Sequence, residues 1–125
     1  MTTTSVQQPV LVRDLMKPGV RVRFDQPLGE VAMAMLQHRL DTVPVCDRQG
    51  RPLGVVTCQA VTSGRPAGRV SHVPVSPAPS IDAGSDLTEA AQVMLGQRFD
   101  SLPVLDGGEV VGALTRADIV SAFWD

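Results

Sequence analysis

Asp41-Thr42-Val43-Pro44-Val45-Cys46-Asp47 recurs in this chain as Asp100-Ser101-Leu102-Pro103-Val104-Leu105-Asp106. Pro44 and Pro103 stand 59 residues apart. Upstream, Leu28-Gly29-Glu30-Val31-Ala32 returns as Leu87-Thr88-Glu89-Ala90-Ala91 at the same step. Downstream, Gly54-Val55-Val56-Thr57 returns as Gly112-Ala113-Leu114-Thr115 at a step of 58, because the second copy has a shorter turn. The repeat is one supersecondary unit written twice. Setting its copies side by side shows which polar groups each has kept.

Around each copy of this stretch the same local grammar appears. Val20 and Val22 alternate with Arg21 and Arg23, which predicts a short half-buried strand. Pro27 suits the first helical position. Leu28, Val31, Ala32, Met35 and Leu36 then fall on one face, predicting an amphipathic helix over 27–39. Residues 42–46 read as a strand, 47–52 as a turn and 53–57 as the return strand of a hairpin, with a brief helix before Ser63. In the second copy Ser80-Ile81-Asp82 is a weak strand. Asp86-Leu87-Thr88-Glu89 is a capping box opening a helix whose buried face is Leu87, Ala90, Ala91, Met94 and Leu95. Residues 102–105 and 110–115 form the second hairpin, and 117–123 the closing helix. Residues 1–9 read as a frayed tail, 10–64 and 80–125 as the two repeats, and 65–79 as a proline-rich joint.

A β-α-β-β-α unit of about 55 residues covers its sheet on one face only and is marginal alone. The expected fold is therefore α+β, two such repeats packed face to face with pseudo-twofold symmetry. With 125 residues and 43% hydrophobic but only 3% aromatic side chains, the core must be aliphatic. A net charge of −2 offers no basic footprint for nucleic acid or an anionic membrane. No apolar run approaches the roughly 20 residues of a membrane span, and the N-terminus lacks a secretory pattern. Two cysteines make no disulfide framework, so a soluble, cytoplasmic protein is expected. Hairpin pairing should set Cys46 near Val55 and Cys58 near Val43, keeping the sulfurs apart, and both read as small buried thiols. His38 and His72 show no metal-ligand spacing and read as surface histidines. No catalytic residue and no metal site is expected, because no nucleophile–base pair, P-loop or dinucleotide fingerprint is present.

Four stretches together resemble a tandem CBS-domain pair, or Bateman module, over residues 10–124. They are Val12-Arg13-Asp14-Leu15-Met16-Lys17-Pro18, the helix openings at Leu28 and Leu87, the Pro-Val strands at Pro44 and Pro103, and Gly112-Ala113-Leu114-Thr115-Arg116-Ala117-Asp118-Ile119-Val120. The resemblance implies a regulatory module, not an enzyme. It implies an adenosine-containing ligand in a cleft between the repeats, no obligatory cofactor, and a homodimer. The helices would supply the dimer surface, with Met33 as a contact. Phe123 and Trp124 would cover the other half of the module or a second subunit.

Thr115 to Asp118 is the informative element. As a capping box it stabilises the helix by about 1 kcal/mol without a ligand. The same geometry suits a nucleotide, since a helix N-terminus presents free amides and positive dipole charge to phosphate. The resemblance gives Thr115 the phosphate and Asp118 the ribose hydroxyls. It makes Val20, Leu40 and Ala113 adenine walls and sets Asp41 near the phosphate end. Arg116 is the nearest phosphate partner, with Arg98 a weaker candidate. The first copy reads Thr57-Cys58-Gln59-Ala60, so Ala60 stands where Asp118 stands and Cys58 where Arg116 stands. One competent and one degenerate cleft follow, with a shorter helix after Thr57. Acidic Asp41 and Asp100 disfavour di- and triphosphates and favour AMP, adenosine or a less charged adenosyl ligand. The expected function is a stand-alone sensor that binds AMP or a related adenosyl ligand and signals in trans to a partner protein. The alternative is an interaction scaffold of the same fold that binds no nucleotide.

Overall fold

A computed structural model describes residues 9–124. The tail expected over residues 1–9 lies, apart from Pro9, outside them. In chain order the elements are α1 (Val12–Leu15), β1 (Lys17–Pro18), β2 (Val22–Arg23), α2 (Leu28–His38), β3 (Thr42–Cys46), β4 (Pro52–Thr57) and α3 (Cys58–Thr62). A 3-10 turn (Val70–His72) leads to β5 (Ile81–Asp82), α4 (Leu87–Leu95), β6 (Ser101–Asp106), β7 (Glu109–Thr115) and α5 (Arg116–Trp124).

The two copies build matching sheets. In the first, β2 runs parallel to β3, and β3 antiparallel to β4. In the second, β5 runs parallel to β6, and β6 antiparallel to β7. The middle strands β3 and β6 lie against each other, so the halves meet through their sheets. Apolar residues separate into two cores, one centred on Leu28, Val31, Val43 and Val45, the other on Ala90, Leu102, Val104 and Leu114.

The halves also exchange segments. β1 precedes the first copy along the chain but pairs antiparallel with β7 of the second, Lys17 opposite Ala113 and Pro18 opposite Gly112. Val12 is correspondingly buried in the second core. Ser76 in the proline-rich joint returns the exchange, bridging Val55 of β4 through two backbone hydrogen bonds of 2.8 Å. Val70, Val73 and Val75 of the joint pack on the first core, and Ala78 on the second. Leu28 N–H donates to Gly68 and Val70 N–H to Gln26, while Val70 is wholly buried. Two glycines make the exchange sterically open. A Cβ at Gly112 would collide with the Lys17 carbonyl, and one at Gly54 with the Ser76 carbonyl.

Several expectations need correction. Leu36 and Leu95 are 74% and 79% exposed rather than buried. At about 100° per residue, each stands about 80° round its helix from Leu28 or Leu87, beyond the stripe that rests on the sheet. The first strand is only Val22–Arg23, although Val20 and Val22 are both buried. Pro27 is the residue before α2 rather than its first. A bulge after Val45 sets Cys46 opposite Pro52, and Thr57 pairs with Thr42, leaving Cys58 beyond the ladder. Cys46 is buried but Cys58 is exposed, and neither is disulfide-bonded. Trp124 is 85% exposed and covers no part of the other half.

Candidate functional site

The strand β7 ends at Thr115 and α5 begins at Arg116, so the turn between them sets the site. Thr115 N–H donates to Asp118 Oδ2 at 3.0 Å, and Asp118 N–H donates to Thr115 Oγ1 at 3.0 Å. This reciprocal box satisfies two otherwise open groups at the start of α5. The other carboxylate oxygen, Oδ1, accepts from Lys17 Nζ at 3.1 Å. The Asp118 side chain is 15% exposed and that of Lys17 35%. Lys17 reaches Asp118 because β1 is seated on β7, so the strand exchange positions the ion pair.

Arg116 is held differently. Its Nη2 donates to the Gln97 carbonyl and its Nε to the Phe99 carbonyl at 3.4 Å, with Asp100 Oδ1 3.5 Å from Nε. Its Nε and Nη2 are thus directed at the chain before β6. Arg98 stacks on the Phe99 ring, 5.0 Å from its centroid.

These groups border a cleft of about 470 Å³ between the two copies. Lys17 enters from β1; Arg39, Leu40 and Asp41 from the first copy; Asp100, Ser101, Thr115 and Arg116 from the second. That volume falls within the roughly 300–1,000 Å³ typical of small-molecule sites. Of the residues singled out by sequence, Leu40, Asp41, Asp100, Thr115 and Arg116 share this cleft, and Asp118 anchors its edge through Thr115 and Lys17. Val20 and Ala113 lie in the first core, where both are buried. Leu40 is also buried, at the cleft wall.

Of the cleft residues that sequence did not single out, Lys17 and Ser101 bear on its chemistry. Lys17 stands 59 positions before Ser76, the same step as the repeat, and that comparison exposes a charge present on one side only. Ser101 is buried, and its hydroxyl is the one buried side-chain polar atom without a hydrogen-bond partner among the described residues. It matches Thr42 in the first copy, so no polarity difference marked it.

The first copy forms a smaller counterpart of about 350 Å³ lined by Thr57, Gln59, Ala60, Ser63, Pro74 and Ser76. Thr57 Oγ1 accepts from Ala60 N–H at 3.2 Å, which is half of the capping box. With no carboxylate at Ala60 to complete it, α3 spans 5 residues against 9 in α5. Among the described residues no three His, Cys, Asp or Glu side chains gather as a metal-binding group. None of the described helices is long and apolar enough to cross a membrane.

A family model described as "CBS domain" matches residues 12–63 and again 70–125. The chain belongs to the CBS domain family, as a tandem pair. CBS domain-containing protein YhcV of Bacillus subtilis is 30% identical over 115 residues, covering 86% of this chain and 81% of YhcV. The CBS domain pair of protein MJ0100, in complex with 5′-methylthioadenosine and S-adenosyl-L-methionine, is similar in fold at 21% identity. Its TM-score is 0.75, over 94% of this chain and 98% of that one. CBSX2 in complex with AMP gives 22% identity and a TM-score of 0.71, covering 92% and 96%.

Proposed function

We propose that the cleft bounded by Lys17, Leu40, Thr115 and Asp118 takes up an adenosine-containing ligand, AMP before others, and that the module is regulatory rather than catalytic. The observation that carries this reading is the start of α5 standing in the wall of a cleft between the two copies. Amides and dipole charge at that helix end suit a phosphate. The Asp118 carboxylate, at the edge of the cleft beside Thr115 and Lys17, suits a ribose diol once Lys17 releases it. MJ0100 and CBSX2, which share the fold, are bound to adenosine compounds. Asp41 and Asp100 put negative charge at the cleft mouth, which favours one phosphate over three. Leu40 supplies an apolar wall for the base.

The ligand would touch both copies, favour the arrangement in which they are closed upon it, and so change the surface presented to a partner polypeptide in trans. Two copies of the chain pair through their helix faces, where Met33, Leu36 and Leu95 are exposed. The second reading, a scaffold without nucleotide, draws on the ion pair itself, because Lys17 already occupies Asp118.

Calorimetric titration with AMP, ADP, ATP and S-adenosylmethionine tests the assignment. AMP should bind with one site per chain, and Asp118→Ala should weaken it about tenfold or more, the range of a lost charge-assisted hydrogen bond. Failure of all four compounds, or unchanged affinity in Asp118→Ala, favours the scaffold.

A further inference from the structure

The ion pair Lys17–Asp118 has no equivalent in the other cleft. Where Lys17 lies on β7, Ser76 lies on β4, and where Asp118 caps α5, Ala60 sits in α3. Both partners of the pair are thus missing together from the first copy's cleft, while the backbone that would carry them is retained. Lys17 has no role in holding β1 to β7 that its backbone does not already fill, since the strand pairing runs through main-chain groups. Lys17 lines the cleft, and the bond from its ammonium to Asp118 is part-buried. Arg116, the other cation near Asp118, directs its Nε and Nη2 to Gln97, Phe99 and Asp100, away from the carboxylate.

We infer that Lys17 is the specificity-determining residue of this cleft, moving from Asp118 to an anionic group of the ligand and so selecting a phosphomonoester of adenosine over the uncharged nucleoside. The inference rests on the adenosine reading above and names what that site discriminates. The pair is part-buried, so its opening is offset only when both charges gain new partners. The freed carboxylate accepts the ribose hydroxyls, and the freed ammonium donates to phosphate, a charge-assisted bond of the stronger kind. An uncharged nucleoside offers Lys17 nothing in exchange. The buried Ser101 hydroxyl, unpartnered beside the same cleft, provides a further donor for an anionic oxygen.

The test is calorimetric titration of AMP and adenosine into the full chain and into Lys17→Met and Lys17→Arg, with thermal melts to confirm folding. Lys17→Met should weaken AMP by roughly ten- to a hundredfold while leaving adenosine unchanged or tighter, because Asp118 is then free. Lys17→Arg should keep most of the preference for AMP. In the unmodified chain, added salt should weaken AMP more than adenosine, a readout that needs no variant. Equal loss of both compounds in Lys17→Met, or no loss of either, overturns the role of Lys17 while leaving the adenosine site standing. Absence of binding of both compounds to the unmodified chain overturns the adenosine reading itself, and this inference with it.

Discussion

Asp118 shows how a single side chain answers to two descriptions. As a cap it bonds the Thr115 amide, and as a charge it bonds Lys17. The capping box is legible in the sequence because it is local, its partners three positions apart. The ion pair is not, because it spans 101 positions and depends on where β1 is laid. Arg116 illustrates the converse. Its charge was readable, but its engagement with the carbonyls of Gln97 and Phe99 depends on the turn before β6. The cysteines differ in the same way. Burial pushes the Cys46 thiol up from its ordinary value, with Asp47 adding to the rise and Arg21 opposing it. Cys58 stands exposed at the start of α3. One thiol should therefore react with Ellman's reagent in the native protein and the second only on unfolding. Folded chains hold the Cys46 proton more tightly than unfolded ones. Stability is thus fully present below the ordinary value of 9.0 and falls as pH rises past it. Two equally fast thiols in the native state would contradict this placement.

At the scale of elements, the repeat made the hairpins and long helices legible, because hydrophobic period and turn chemistry are properties of neighbouring residues. The five-residue α3 was anticipated from Ala60 for the same reason. The faces of α2 and α4 were read one position too wide, since spacing alone does not say how broad a stripe the sheet accepts. Leu36 and Leu95 lie on that margin. The exchanged segments left only faint traces, chiefly glycine at matching positions. Gly112 admits the Lys17 carbonyl, and Gly54, at φ 131°, admits that of Ser76. Gly112→Ala should lift β1 from β7 and destabilise the fold by about 1–3 kcal/mol in urea denaturation, the range of overpacking. Gly96→Ala, where the new methyl meets only the Val93 carbonyl at 3.8 Å, should change stability little and serves as the control. Equal effects at the two sites would show that β1 does not depend on the gap at Gly112.

For the whole molecule, the two cores are not the two halves of the sequence. Val55 of β4 is buried in the second core and Ala113 of β7 in the first. A link at the hairpin tips joins the halves further, Val110 N–H donating to the Gly50 carbonyl at 2.8 Å and Arg21 Nη1 to that of Val110 at 2.8 Å. The outer side carries the apolar excess. Leu95, Val120 and Phe123 border a groove of about 300 Å³ between α4 and α5, and Leu36 borders another beside α2 and α3. If two chains pair through this side, Leu36→Glu with Leu95→Glu should yield a monomer in analytical ultracentrifugation with unchanged circular dichroism. A monomer before substitution would remove the helix faces as the dimer surface. The reciprocal laying of β1 on β7 has a consequence for biosynthesis. Synthesis proceeds from the N-terminus, so Lys17 and Pro18 leave the ribosome long before Gly112 and Ala113, the residues they pair with. At roughly 5–20 residues per second, that strand waits on the order of 5–20 seconds without a partner. During that interval the first sheet's β4 already has Ser76 within reach. The nascent chain can thus close its first sheet while β1 stays open to chaperones and proteases. The β1 strand, made before every other strand of this fold, is among the last to be secured.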